Sequence, residues 1–189
     1  MNRLDPPDYF DDAAALDALA LNTRLKCYPS LAAQVPAIKA GYVQYVAAMG
    51  NSHGVVNVAL PVPIQAQLKA LYASPSKELP HINRIREESE ANCCPMCGSF
   101  HSGTLDHLLP KADYPVFAIF GHNLVPACKC NSTRTNLLTG ANPNERILHP
   151  YFDDILRERL FVAQIEDFGL VPRITLRPAL DPFDPLVAA

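Results

Sequence analysis

Cys94-Pro95-Met96-Cys97-Gly98 and, further along, Cys128-Lys129-Cys130 are the two stretches that decide how this chain folds. Two thiolates separated by two residues can grip one tetrahedral ion, and Gly98 permits the tight turn behind them. Alone, such a pair is also compatible with a redox dithiol. The second pair shifts the balance, because four thiolates can close one structural zinc site. The single residue between Cys128 and Cys130 is tighter than the usual two, so His101 or Cys93 stands as a substitute for one of these thiols. Cys27 lies far from the group and reads as a plain buried cysteine.

Upstream of the cysteines the pattern is helical. An acidic start and an Ala/Leu run (Ala15, Leu16, Leu19, Ala20) predict a helix from Asp11 to about Lys26. Pro36 opens a second, with Ile38, Tyr42, Tyr45, Val46 and Met49 as its apolar stripe and Gly50-Asn51 as its stop. Pro63 opens a third, striped by Ile64, Leu68, Leu71 and Tyr72 and ending before Pro75. A fourth, short and charged, spans Leu79 to Glu90. These stripes read as core, with no visible chemistry. Downstream, a short helix is expected around Tyr151 to Leu156. Leu160–Ile165 and Val171–Leu176 then flank a Phe168-Gly169 turn and predict a hairpin. The fold class is therefore α+β. The expected divisions are a helical domain over 1–90, a zinc-stapled module over 91–150, a helix and hairpin over 151–178 packing on that module, and a flexible tail over 179–189 that is extended or frayed from Pro178.

Composition bounds the function. With 189 residues, 49% apolar and 19% charged, the chain is an ordinary globular domain and not a disordered one. It has no apolar run long enough to span a bilayer, and its acidic, proline-containing start is unlike a secretory or transit signal. A soluble, cytoplasmic protein is expected, where clustered cysteines favour a metal over disulfides. The net charge of −3 denies it the overall positive field of a free-standing nucleic-acid binder.

Between the cysteine pairs lies Thr104-Leu105-Asp106-His107-Leu108-Leu109-Pro110-Lys111. Asn123-Leu124-Val125-Pro126-Ala127-Cys128 follows, and Asn131 comes directly after the last cysteine. Together these resemble the zinc-knuckle form of the HNH endonuclease family: C-x-x-C, an Asp-His pair opening into a proline, Asn-Leu, then C-x-x-C-Asn. The resemblance runs from Cys94 to Asn136, under a quarter of the chain. It implies a ββα-metal fold, with a hairpin bearing Asp106 and His107 and a short helix beginning near Cys128. It also implies His107 as general base toward water, and Mg²⁺ or Mn²⁺ held by Asp106 and Asn131. Asn123 would hold the His-bearing loop, and Cys94, Cys97, Cys128 and Cys130 would hold a structural Zn²⁺.

Two departures from the family pattern matter. The shortened second pair displaces Asn131 by about one residue, or about 100° around a helix. The family's following lysine is absent, leaving Arg134 or Lys129, with Lys111, as phosphate contacts. His122 is expected to face solvent. His149 either packs against the site or lends it a ligand, with a structural place at a helix entry as the alternative. From Arg84 to Arg134 five basic residues balance five acidic ones, so autonomous affinity for duplex DNA should be modest. That favours a nuclease carried to DNA by a protein partner docked on the helical half. The phrasing is similar to HNH subunits of anti-phage systems of the Septu type, which work beside an ATPase subunit. The rival reading is a non-catalytic zinc module that binds nucleic acid or protein. A dithiol redox protein is disfavoured, since no βαβ context surrounds Cys94 and Cys97.

Overall fold

The computed structural model describes residues 3–90, 93–100, 103–130, 138–140, 142, 145–166 and 173–179. Among these the fold is α+β, as the sequence predicts. Four α-helices fill the N-terminal half: α1 (Asp12–Leu21), α2 (Val35–Ala47), α3 (Val62–Ala73) and α4 (Pro80–Glu90). Two antiparallel hairpins follow. β1 (Thr104–His107) pairs with β2 (Leu124–Ala127), and β3 (Phe161–Glu166) pairs with β4 (Arg173–Pro178). The Phe168-Gly169 turn and the tail beyond Ala179 lie outside the described residues.

Local chemistry sets the helix ends. Asp11 caps α1, its Oδ1 accepting from the amides of Ala13 (2.8 Å) and Ala14 (3.0 Å). The helix stops at Leu21, well short of Lys26. There the Asn22 side chain accepts from the Arg24 amide at 3.0 Å and donates to Glu78 at 3.2 Å, turning the backbone aside. α2 ends at Ala47, three residues before the expected stop. Val46 and Met49, expected in its core stripe, are instead 42% and 58% exposed. The residues buried from α2 are Ile38, Gly41, Tyr42 and Tyr45. The predicted helix at Tyr151–Leu156 is a turn followed by a 3₁₀ segment, Asp154–Arg157.

One apolar core runs through all four helices and into the loop between β1 and β2. It includes Leu16, Ile38, Tyr45, Ile64, Leu68 and Ile82 from the helices, and Leu105, Leu109, Val116–Phe120 and Leu124 from the β1–β2 region. The core therefore crosses residue 90 without a break. A smaller cluster joins Leu108, Val125 and Tyr151, with Met96 and Ile147 packed against it. Leu156 is buried as well, whereas the described residues of the β3–β4 hairpin face outward. Phe161, Ala163 and Ile165 share one face with Ile174, Leu176 and Pro178, and all six are exposed. Among the described residues no buried side chain comes from this hairpin.

Candidate functional site

The antiparallel β1–β2 register sets His107 opposite Leu124 and Thr104 opposite Ala127. The strands are short, so both ends of the hairpin matter. At the Thr104–Ala127 end the chain enters the cysteine pairs on both sides. Gly98, at φ 78°, turns the first pair back on itself, with its amide bonded to the Cys94 carbonyl (2.8 Å) and the Cys94 amide to the Ser99 carbonyl (2.7 Å).

This arrangement gathers the Sγ atoms of Cys94, Cys97, Cys128 and Cys130 within 4.8 Å of one another. Cys94 lies 3.7 Å from Cys130, and Cys97 lies 3.5 Å from Cys128. A disulfide requires about 2.05 Å. A tetrahedral ion with metal–sulfur bonds of about 2.3 Å separates its sulfurs by ~3.8 Å. The four cysteines can therefore hold a metal ion such as zinc. The one-residue spacing closes because Lys129 and Cys130 begin a 3₁₀ turn in which the Cys130 amide donates to Cys128 Sγ at 3.2 Å. Cys93 is exposed and outside the group; His101 lies outside the described residues. Cys27 is buried, as expected.

Electrostatics suit cation binding. Burial works to raise the Cys94 pKa, but donation from the backbone amides of Cys128, Cys97 and Met96 outweighs it and brings the thiol down to about 7. Burial and the neighbouring sulfurs push Cys130 upward. Four thiols this close cannot all ionise without a cation, and binding one would release their protons.

At the other end of the hairpin Leu105 and His107 face inward while Asp106 is half-buried. His107, 7% exposed, donates from Nε2 to the Ala118 carbonyl at 2.9 Å, which leaves the imidazole lone pair on Nδ1. The Tyr72 ring meets its edge with centroids 4.2 Å apart. Tyr72 also donates its hydroxyl to the Leu105 carbonyl at 2.8 Å, tying α3 to β1. Two cations flank the same ring, with Lys111 Nζ 4.1 Å and Arg86 Cζ 5.1 Å from its centroid. Burial and then the Arg86 charge lower the Lys111 pKa. His107 and Lys111 thus meet around Tyr72, and the electrostatic influence of Asp106 reaches that tyrosine as well. Sequence alone did not single out Tyr72 and Arg86 for the site: Tyr72 read as core stripe, and Arg86 entered only the charge balance. The available signal was a tyrosine on a core stripe, since its buried hydroxyl needs a partner.

Asn123 is fully buried and uses its whole amide. Oδ1 accepts from the Leu109 amide (2.8 Å) and the Tyr45 hydroxyl (3.0 Å), while Nδ2 donates to the carbonyls of Leu109 (3.0 Å) and Phe117 (3.1 Å). It clasps both ends of the loop between β1 and β2. Asn131 and Arg134 lie outside the described residues, and Lys129 is exposed at the cysteine end. His122 does not face solvent as expected. It is half-buried, stacked on Phe152 at 5.9 Å, and burial lowers its pKa. His149 packs inside, fully buried.

No protein-family model matches the chain, and no solved structure matches it. Over 67 residues, 34% of the chain, it is 36% identical to protein ea31 of Escherichia phage lambda. The match spans 23% of that protein, so the chain covers under a quarter of the curated relative's length. Among the described residues no helix is long and apolar enough to cross a membrane.

Proposed function

We propose that this chain is a metal-dependent HNH-type endonuclease that hydrolyses DNA phosphodiester bonds. One observation carries the reading. A single short hairpin ends in a four-thiol cluster on one side and in Asp106-His107 on the other, with its closing loop clasped by Asn123. A zinc scaffold alone requires neither the Asp-His pair nor the clasp.

In this reading Cys94, Cys97, Cys128 and Cys130 hold a structural zinc. His107, proton on Nε2, takes a proton at Nδ1 from the water that attacks phosphorus, and the bond from phosphorus to the leaving 3′ oxygen breaks. Asp106, with Asn131, would hold Mg²⁺ or Mn²⁺, which supplies charge neutralisation at the scissile phosphate and its leaving oxygen. Lys111, with Lys129 and Arg134, contacts the DNA backbone, and Arg86 joins Lys111 beside Tyr72. The net charge of −3 supports delivery by a partner such as an ATPase subunit of a cytoplasmic anti-phage complex.

One observation favours the rival, a non-catalytic zinc module that binds nucleic acid or protein. His107 is enclosed and bonded to a backbone carbonyl, as a structural core histidine would be. Plasmid nicking with added Mg²⁺ or Mn²⁺ separates the two. His107→Ala should lower the nicking rate by roughly 10²–10⁴-fold with zinc content and fold retained, the usual effect of losing a general base. Equal rates in wild type and variant would remove His107 from the chemistry and leave the module reading.

A further inference from the structure

We infer that Tyr45, on α2, and His149, after the last cysteine pair, are positioning residues that act through Asn123 on the loop holding His107. They form one buried hydrogen-bonded chain whose direction is fixed at every link. The Tyr151 amide donates to His149 Nδ1 at 3.1 Å, so the imidazole proton sits on Nε2. Nε2 lies 3.0 Å from the Tyr45 hydroxyl and donates to it. The hydroxyl proton then goes to Asn123 Oδ1, also at 3.0 Å.

Asn123 passes this order to the candidate base. Its Nδ2 holds the Phe117 carbonyl, and the very next carbonyl, that of Ala118, receives His107 Nε2–H. A shift of the Asn123 amide therefore moves the group that selects the His107 tautomer. His149 is held from behind. Its own amide donates to the Asp153 carboxylate, which a two-bond pair with Arg146 (2.6 and 2.8 Å) locks in place. Gly50 leaves room for the ring, since a Cβ there would lie 2.2 Å from His149 Cδ2. Burial holds the His149 pKa down to about 3, so the ring stays neutral and the direction persists at neutral pH.

This inference rests on the nuclease reading for its rate measurement, but not for its spectroscopic one. In Tyr45→Phe the ring remains and only the hydroxyl is lost. Long-range ¹H–¹⁵N spectra of the imidazoles should show His107 and His149 as Nε2–H tautomers in the wild type. In the variant, His107 should become a tautomer mixture. The kcat for nicking should fall roughly 10–100-fold with KM for DNA unchanged, the scale at which lost orienting partners act. Ile64→Val, a core truncation outside the chain of bonds, should lower stability while leaving the His107 tautomer and kcat unchanged. A wild-type protein that does not nick DNA would fail the nuclease reading alone, and the tautomer comparison would still decide the positioning role. If Tyr45→Phe does not fold, His149→Gln carries the same expectation. A folded variant that keeps the wild-type His107 tautomer overturns the inference.

Discussion

Asp12 opens α1, where its carboxylate accepts the Gly121 amide at 3.1 and 3.3 Å, and its side chain is only 11% exposed. Burial is the main influence, outweighing that amide, and it raises the Asp12 pKa from 3.8 to about 7. The nearest histidine gives little relief. His81 Nε2 lies 3.7 Å away, but burial lowers its own pKa and its ring proton serves the Ile119 carbonyl. The folded protein thus holds the Asp12 proton more tightly than the unfolded chain. The stability this contributes is full below about pH 3.8 and is lost as pH rises through about 7. Three pH units at 1.36 kcal/mol each put the loss at about 4 kcal/mol by pH 8. Asp12→Asn cannot ionise and can still accept from Gly121. Its advantage should grow from about 0.5 kcal/mol at pH 4 to about 4 kcal/mol at pH 8. For a chain of this size that is roughly 10 °C in Tm. Thermal melts of both proteins from pH 4 to 8 measure the difference directly. A pH-independent difference, or a wild type more stable than the variant at pH 8, would mean that Asp12 is ionised against a protonated His81, and the burial account would be refuted.

Two further outcomes follow from the geometry. Purified protein should carry about one zinc per chain, and Cys97→Ser should lose it. The loop between Cys94 and Cys130 would then be open, at a cost of about 4 kcal/mol by loop-closure entropy; metal analysis with urea melts checks both. Gly50→Ala places a methyl group against His149 on a backbone with φ 66°. It should destabilise by about 1–3 kcal/mol, from backbone strain plus displacement of a packed ring, read from chemical denaturation.

Much of the fold was legible because it depends on short-range signals. Apolar spacing marks α2 and α3, Pro36 and Pro63 mark where those two open, and the acidic start marks the opening of α1. The errors lie where a tertiary contact overrides local pattern. α1 ends early because Asn22 bonds to Arg24 and Glu78, and Val46 continues a stripe that the packing of α2 leaves outside. At the site, cysteine spacing pointed to a four-thiol cluster but left Cys130 open against His101 or Cys93, because one intervening residue is tighter than the usual two. The amide clasp of Asn123 came from the family resemblance. The stripe positions of Tyr45 and Tyr72 signalled that each hydroxyl needs a partner but not which one, because the carbonyl or amide it meets comes from a distant part of the chain.

The short β1–β2 pair explains what the helical half contributes to the site. A two-stranded hairpin is marginal in water at best, and this one has four residues per strand. It is held at one end by the cysteines and at the other by helix side chains. Tyr72 bonds the Leu105 carbonyl, Tyr45 completes the Asn123 amide, and His81 and Asp12 take the backbone at Ile119 and Gly121. Remove the helices and the loop that holds His107 loses these contacts. A truncated chain carrying only residues 91–150 would therefore keep its four clustered cysteines in sequence but lose the side chains that fix the geometry around His107. The fixed position of that imidazole belongs to the whole molecule.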